Sequence, residues 1–160
     1  EKIRSALRDA CHPQFRSPEL LDRFEQFLAE SEQIIPAVDD VLRESTWKRF
    51  GALVDRSQSL GADLLKNQVP ETIFLANEAR RLGAVAASAF GAGFGGSVWA
   101  IVRTDQAAEF LQAWSACYSE SYPQHAARAQ FVISGSGPAA FYLNTPVMTD
   151  LHQATLGAEP

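Results

Sequence analysis

The string Gly91-Ala92-Gly93-Phe94-Gly95-Gly96-Ser97 constrains this chain more than any other stretch, with four glycines in six positions. Glycine costs backbone entropy on folding, and it is used where φ must be positive or where another group must approach the backbone closely. Before the string runs Ala84-Val85-Ala86-Ala87-Ser88-Ala89-Phe90, small and apolar; after it runs Val98-Trp99-Ala100-Ile101-Val102, β-branched and aromatic. Both flanks are predicted strands. The loop therefore joins two strands that end close together.

Two well-known glycine patterns fit the letters and fail on context. Gly91, Gly93 and Gly96 satisfy G-x-G-x-x-G. The dinucleotide fingerprint needs a helix directly after the loop, facing the pyrophosphate, and here a strand follows. The protein-kinase pattern extends to Val98 and does lie between strands. The strand after it then offers Ala100-Ile101-Val102-Arg103 where Ala-x-Lys is wanted. No His-Arg-Asp or Asp-Phe-Gly follows, and residues 104–160 are too few for a kinase C-lobe. A tight hairpin whose glycines serve packing alone remains open. A second cluster, Ser134-Gly135-Ser136-Gly137-Pro138, reads as a turn, or as an anion site built from backbone N–H groups.

At 160 residues the chain is one domain's worth and can bury a core. A net charge of −5 argues against a nucleic-acid surface or an anionic membrane as partner. No apolar run is long enough for a bilayer, and no signal-peptide pattern is present. Cys11 and Cys117 stand far apart in no metal or redox spacing and read as free thiols of a reducing compartment. His12, His125 and His152 are scattered, so no metal site is expected. The chain opens on Glu1 rather than methionine, which suggests a piece of something longer.

Helical patterning dominates the first half. An early helix carrying Ile3 and Leu7 is expected to end at His12-Pro13. Ser17-Pro18-Glu19 reads as a start, with serine as cap, proline at the first position and an acid in the first turn. Leu20, Leu21, Phe24, Phe27, Leu28 and Ile34 follow at helical spacing, and Pro36 is expected to kink or break the run before Val38, Val41 and Leu42. Ser45 or Thr46 can cap the next helix, striped by Trp47, Phe50, Leu53, Val54, Leu60 and Leu64, with Gly51 and Gly61 as weak points. Pro70-Glu71 opens a further helix that Gly83 stops, with Arg80 and Arg81 read as solvated charges complementing the helix dipole. After the two strands, Asp105 is expected to cap a helix bearing Ala108, Phe110, Leu111, Trp114, Cys117 and Tyr118, which Tyr122-Pro123 ends. Phe131-Val132-Ile133 reads as a last strand, and Ala139 to Pro160 is weakly patterned. The order implies a single α+β domain over 1–160, helices packed on a small antiparallel sheet, with one sheet face covered.

Phe94 between glycine pairs, with small residues before and a strand after, resembles the third motif of the galactokinase-like GHMP kinases. Other stretches match that family in order. Glu30-Ser31-Glu32-Gln33-Ile34 is similar to its asparagine- and glutamate-containing helix. Phe50-Gly51-Ala52-Leu53-Val54-Asp55-Arg56-Ser57-Gln58-Ser59-Leu60 is similar to its Phe-Gly-x-Leu-Met-x-x-Ser-His-x-Ser-Leu helix, and Val69-Pro70-Glu71 to its Cys-Pro-Glu helix start. The resemblance runs from Leu20 to Ile133 and covers the family's C-terminal half only. There are departures. Gln58 replaces a histidine and one residue is missing just after it. Ser88-Ala89-Phe90 stands for Arg-Met-Thr, and Ser97 stands where cysteine is frequent. Basic residues early in the family's first C-terminal helix have no counterpart. These departures leave the sugar open, another hexose or a uronic acid included.

The resemblance implies a ferredoxin-like GHMP kinase C-terminal domain. In the full-length parent it implies ATP- and Mg²⁺-dependent phosphorylation of a sugar hydroxyl, the anomeric one first, in the cytoplasm. The N-terminal half would supply the phosphate loop, the catalytic aspartate and most sugar contacts, none of which is present here. No catalytic or metal-binding residue is therefore assigned to this chain, no cofactor is expected on it alone, and alone it is expected to be inactive. Its contribution would be the nucleotide- and substrate-cleft loop of Gly91, Gly93, Phe94, Gly95, Gly96 and Ser97. Its partners would be that N-terminal half and the sugar, not nucleic acid or membrane. Phe90, Phe94, Trp99 and parts of the helix Leu20 to Ile34 would face the partner, and a homodimer reusing that face is the simplest closed alternative. The rival from another class is a non-catalytic α+β ligand-binding or interaction domain with a structural glycine hairpin.

Overall fold

A computed structural model describes residues 1–11, 14, 16–135 and 137. The chain begins with helix α1 (Lys2–Arg8) and helix α2 (Ser17–Ala29). A π-helical turn, Glu30–Ile34, leads without a break into α3 (Ile35–Glu44). Helix α4 (Trp47–Leu60) likewise runs into a second π turn, Gly61–Leu65, before α5 (Pro70–Arg81). Strands β1 (Ala86–Phe90) and β2 (Ser97–Ile101) follow, then a 3₁₀ turn (Thr104–Gln106), α6 (Ala107–Ser121) and the short α7 (Pro123–Ala126).

The strands form an antiparallel hairpin, with Ala86 opposite Ile101 and Phe90 opposite Ser97. Because side chains alternate, Ala86, Ser88 and Trp99 share one face and Ala87, Val98 and Ala100 the other. The first face packs on Val41 of α3 and Phe50 and Val54 of α4. The second packs on Ala79 and Leu75 of α5 and on Phe110 and Trp114 of α6. Helices thus cover both faces, where the sequence suggested one. The alanines of β1 explain this: at 0% and 1% exposure, Ala86 and Ala87 let helices approach closely from both sides. Each large side chain buried in these clusters contributes roughly 1.5–3 kcal/mol.

Several local expectations are corrected. Residues 131–133 join no ladder. Phe131 instead stacks edge-on against Trp114 at 5.3 Å, and Val132 and Ile133 are exposed. The first helix stops at Arg8, and His12 and Pro13 lie outside the described residues, as do Ser136 and all of 138–160. Arg16, not Ser17, is the N-cap of α2: the Glu19 carboxylate turns back to accept its N–H at 2.9 Å, while the Ser17 hydroxyl donates to the Ala10 carbonyl. Asp105 caps nothing and pairs with Arg103. Pro36 does not break the helix: it is the second residue of α3, entered directly from the π turn, where the wider ladder accommodates its missing N–H.

Helix α5 ends as its sequence suggests. Gly83 takes φ +99°, its N–H bonds the Arg80 carbonyl, and the Ala84 N–H bonds the Ala79 carbonyl. Those two bonds make a Schellman motif that turns the chain from helix into β1. Arg81 pairs with Glu78 on the surface, as a solvated charge would. Arg80 does not stay in solvent. Its guanidinium forks onto Asp55 of α4 at 2.8 and 3.0 Å and donates to the carbonyls of Ala84 and Val85. Gly51 is equally misread as a weak point. It is buried, and a Cβ there would overlap the Val85 carbonyl oxygen, well inside the 3.0 Å that side-chain carbons respect. Arg80 and Gly51 together fasten α4, α5 and the start of β1.

Candidate functional site

The hairpin ends carry the glycine string as an exposed loop between Phe90 and Ser97. Five of the six linking residues have positive φ: Gly91 at +90°, Gly93 at +88°, Phe94 at +62°, Gly95 at +113° and Gly96 at +101°. Only glycine takes most of these values without strain, which is why the string is written as it is. Phe94 is the exception, a non-glycine in the left-handed region whose ring is 74% exposed.

The six residues singled out from the sequence fall into two groups. At Gly91, Gly95 and Gly96 an added Cβ would meet nothing within 4 Å, so that backbone borders open space. Gly93 faces inward, and a Cβ there would collide with the carbonyl of Asn67. That carbonyl accepts the Phe94 N–H at 2.5 Å, and the Asn67 side-chain amide donates to the Ala92 carbonyl at 3.3 Å. Ser97 starts β2 and is exposed. The loop is therefore docked at its middle and open on both sides of that point.

Asn67 reaches the loop because Lys66 turns left-handed, φ +56°, at the end of the second π turn. The amide of Gln68 donates to Asn67 Oδ1 at 3.4 Å, and the buried Thr72 hydroxyl donates to Gln68 Oε1 at 2.9 Å, tying the segment to α5. At the stem, Gln58 Oε1 of α4 accepts the Ser88 hydroxyl at 2.9 Å and the Ala89 N–H at 3.0 Å. Its Nε2 is buried with no partner among the described residues. Neither amide's role was read from the sequence, where Gln58 stood out only as a departure and Asn67 not at all.

A groove of about 290 Å³ opens beside the stem, lined by Ile34, Val38, Phe50, Val54, Ser88 and Trp99. Two expectations of an exposed face change here. Trp99 is half-buried against the α3–α4 cluster, and Ile34 is only 2% exposed, whereas Phe90, Phe94 and Phe27 are exposed.

The loop has no side chain that can donate or take a proton in catalysis. Its chemistry is that of backbone N–H groups in a run of left-handed residues, which can face an anion. Among the described residues no three His, Cys, Asp or Glu side chains gather as a metal ion would require. Of the second glycine-serine cluster, Ser134, Gly135 and Gly137 are described and exposed, and the Ser134 hydroxyl donates to the Gly135 carbonyl.

Comparison with known proteins places this architecture. No curated protein matches the chain. Among solved structures it is similar to the galactokinase of Lactococcus lactis, determined in complex with galactose, at 24% identity and a TM-score of 0.63. The match covers 76% of this chain and 30% of that one, so this chain spans well under half of its relative, and the likeness speaks to the fold. Residues 34–120, more than half of the chain, match the family described as GHMP kinases C terminal. That span holds α3, α4, α5, the hairpin with its glycine loop, and nearly all of α6. The chain belongs to the GHMP kinases, and residues 34–120 match their C-terminal domain.

Proposed function

We propose that this chain is the C-terminal domain of an ATP-dependent sugar kinase of galactokinase type, which phosphorylates a sugar hydroxyl, the anomeric one first. The observation that carries the reading is the open backbone of Gly91, Gly95 and Gly96 beside the docked Gly93, inside a family of kinases. Phosphoryl transfer needs positioned phosphates, Mg²⁺ to offset their charge, and a group to orient the nucleophile. The loop can contribute to the first of these by letting backbone N–H groups approach an anionic nucleotide where a Cβ would intrude. Mg²⁺, the catalytic carboxylate and most sugar contacts are assigned to the N-terminal half of the kinase. The enzyme is read as cytoplasmic, as the galactokinase-like reading implies.

That half is also the proposed cover for Phe90 and Phe94, at 57% and 74% exposure. Without it, the 160-residue chain is expected to self-associate through this face, as light scattering on a sizing column would show; a clean monomer would mean that the face is not an apolar interface.

The decisive experiment compares two proteins with ATP, Mg²⁺ and a panel of hexoses and uronic acids. The full-length enzyme should release ADP only with its sugar, and the 160-residue chain should release none. A full-length protein with no sugar-dependent ADP release would favour the rival, a non-catalytic binding domain. Turnover by the short chain would show that the catalytic groups lie within it.

A further inference from the structure

The glycine loop cannot hold its own shape. Glycine loses the most conformational freedom on ordering, and four of the five left-handed residues here are glycine. Contacts from outside must select one arrangement, and two residues distant in sequence make them, Gln58 through its side-chain amide and Asn67 through its backbone carbonyl and its side-chain amide. At the stem, the Gln58 carbonyl gathers the Ser88 hydroxyl and the Ala89 N–H, at 2.9 and 3.0 Å. In an antiparallel ladder successive residues turn their N–H groups to opposite sides, so the N–H of Ala89 that meets Gln58 is one β2 does not take. Gln58 thus acts as a fragment of a third strand on the outer edge of β1, fixing the two residues before Phe90. At the middle, Asn67 holds both ends of the Ala92–Phe94 segment: its backbone carbonyl takes the Phe94 N–H and its side-chain amide donates to the Ala92 carbonyl.

We propose that Gln58 and Asn67 are positioning residues of the nucleotide site, setting the glycine loop in its binding shape before a ligand arrives. This rests on the reading of the loop as the nucleotide cleft. The chemistry is selective. Two donors converging on one atom require an sp² oxygen with two lone pairs, which glutamine and glutamate offer and methionine does not. The proximity effect explains the functional stake, since small displacements of a positioning group cost large factors in rate.

The test uses the full-length protein with Gln58→Met, Gln58→Glu and Asn67→Ala. Two readouts are taken: amide hydrogen exchange at Ala89 and Phe94, and kcat and KM for ATP and sugar separately. Gln58→Met should speed exchange at Ala89 by about tenfold or more; Asn67→Ala keeps the backbone carbonyl that accepts the Phe94 N–H but frees the Ala92 carbonyl, so it should speed exchange at Phe94 by a smaller factor, about threefold. Both should raise KM for ATP or lower kcat by about tenfold with the sugar KM nearly unchanged. Gln58→Glu keeps the accepting oxygen and should restore slow exchange at Ala89, while its added charge, set against an anionic nucleotide, leaves the KM for ATP raised. If Gln58→Met does not fold, Asn67→Ala, which removes only the side-chain bonds to the Ala92 carbonyl and from the Gln68 amide, decides alone. Unchanged exchange would overturn the clamp. Faster exchange with wild-type kinetics would overturn the positioning role. A wild-type protein without sugar-dependent ATP turnover, its exchange pattern as expected, would overturn the nucleotide reading and the positioning role with it, leaving a purely structural clamp.

Discussion

Gly51 and Gly95 are the same residue used for opposite reasons. Gly51 lies inside α4 with ordinary helical backbone, buried, and a neighbouring carbonyl oxygen occupies the place of its missing side chain. Gly95 lies in the loop at φ +113° with nothing within 4 Å. One glycine is needed for the space it leaves, the other for the conformation it permits. The region around Gly51 is crowded: α4, the Arg80 fork and the start of β1 meet there, and rigidity is the result. The region around Gly95 is empty, and its order is borrowed from Asn67 and Gln58. A fixed stem presenting an open loop is a sensible arrangement for a site whose ligand must approach the main chain.

The sharpest break of this contrast is Gly51→Ala. Alanine favours helix by about 1 kcal/mol, yet the overlap with Val85 is with backbone and cannot be relieved by a rotamer change. A net loss of about 2–3 kcal/mol is expected by urea denaturation; a stabilised variant would mean that α4 and β1 can slide apart freely. Gly93→Ala combines both kinds of need, a positive φ and a blocked Cβ. It should cost about 1–2 kcal/mol and release the Phe94 amide to exchange; an unaltered Phe94 amide would show that Asn67 does not hold the loop.

Gly95→Val tests the open side. A β-branched residue resists positive φ, and its methyl groups would intrude where the nucleotide is proposed to lie. Turnover of the full-length enzyme should fall by about tenfold, or 1.4 kcal/mol in the barrier, with a smaller change in melting temperature. Activity lost only in proportion to unfolded protein would make Gly95 structural and erase its contrast with Gly51. The smallest effect is expected outside both regions. The Arg16 N–H, then its guanidinium, hold the Glu19 carboxyl below its ordinary value of 4.5. The folded state therefore favours the charged form. The stability this contributes is complete above that value and is lost as pH falls through the lower folded value. Glu19→Gln should flatten the acid side of a stability-versus-pH curve below about pH 4.5 and leave loop exchange untouched; a change in the loop would show that the two ends of the molecule are coupled.

The loop and its strands were legible because glycine and β-branched residues report local backbone conformation directly. The ends of α5 were legible for the same reason, with Pro70 at its first position and Gly83 just past its end. What the sequence hid were relations between segments. Gly51 looked like a defect because a glycine in a helix does not say what approaches it. Arg80 read as a solvated charge because Asp55 and Val85 come to it only on folding. Asn67 and Gln58 meet the hairpin across 25 to 31 residues, and a side-chain amide carries no pattern that reveals a distant partner. Val132 and Ile133 have strand-like residues yet stand exposed, so propensity had no ladder to act on.

The two π turns bear on how this chain can change in length. A π turn holds one residue more than the α turn it replaces, so removing a residue there restores a continuous helix and leaves both flanking faces as they were. Elsewhere in these helices a one-residue deletion rotates everything beyond it by about 100°, carrying the apolar stripe off the core. The two turns are not equivalent. Straightening Glu30–Ile34 would put Pro36 inside a regular helix with its ring against the carbonyl four residues before it. Nothing of that kind follows Gly61–Leu65, where the chain leaves the helix at Lys66. Shortening by one residue is thus open at the second turn and barred at the first.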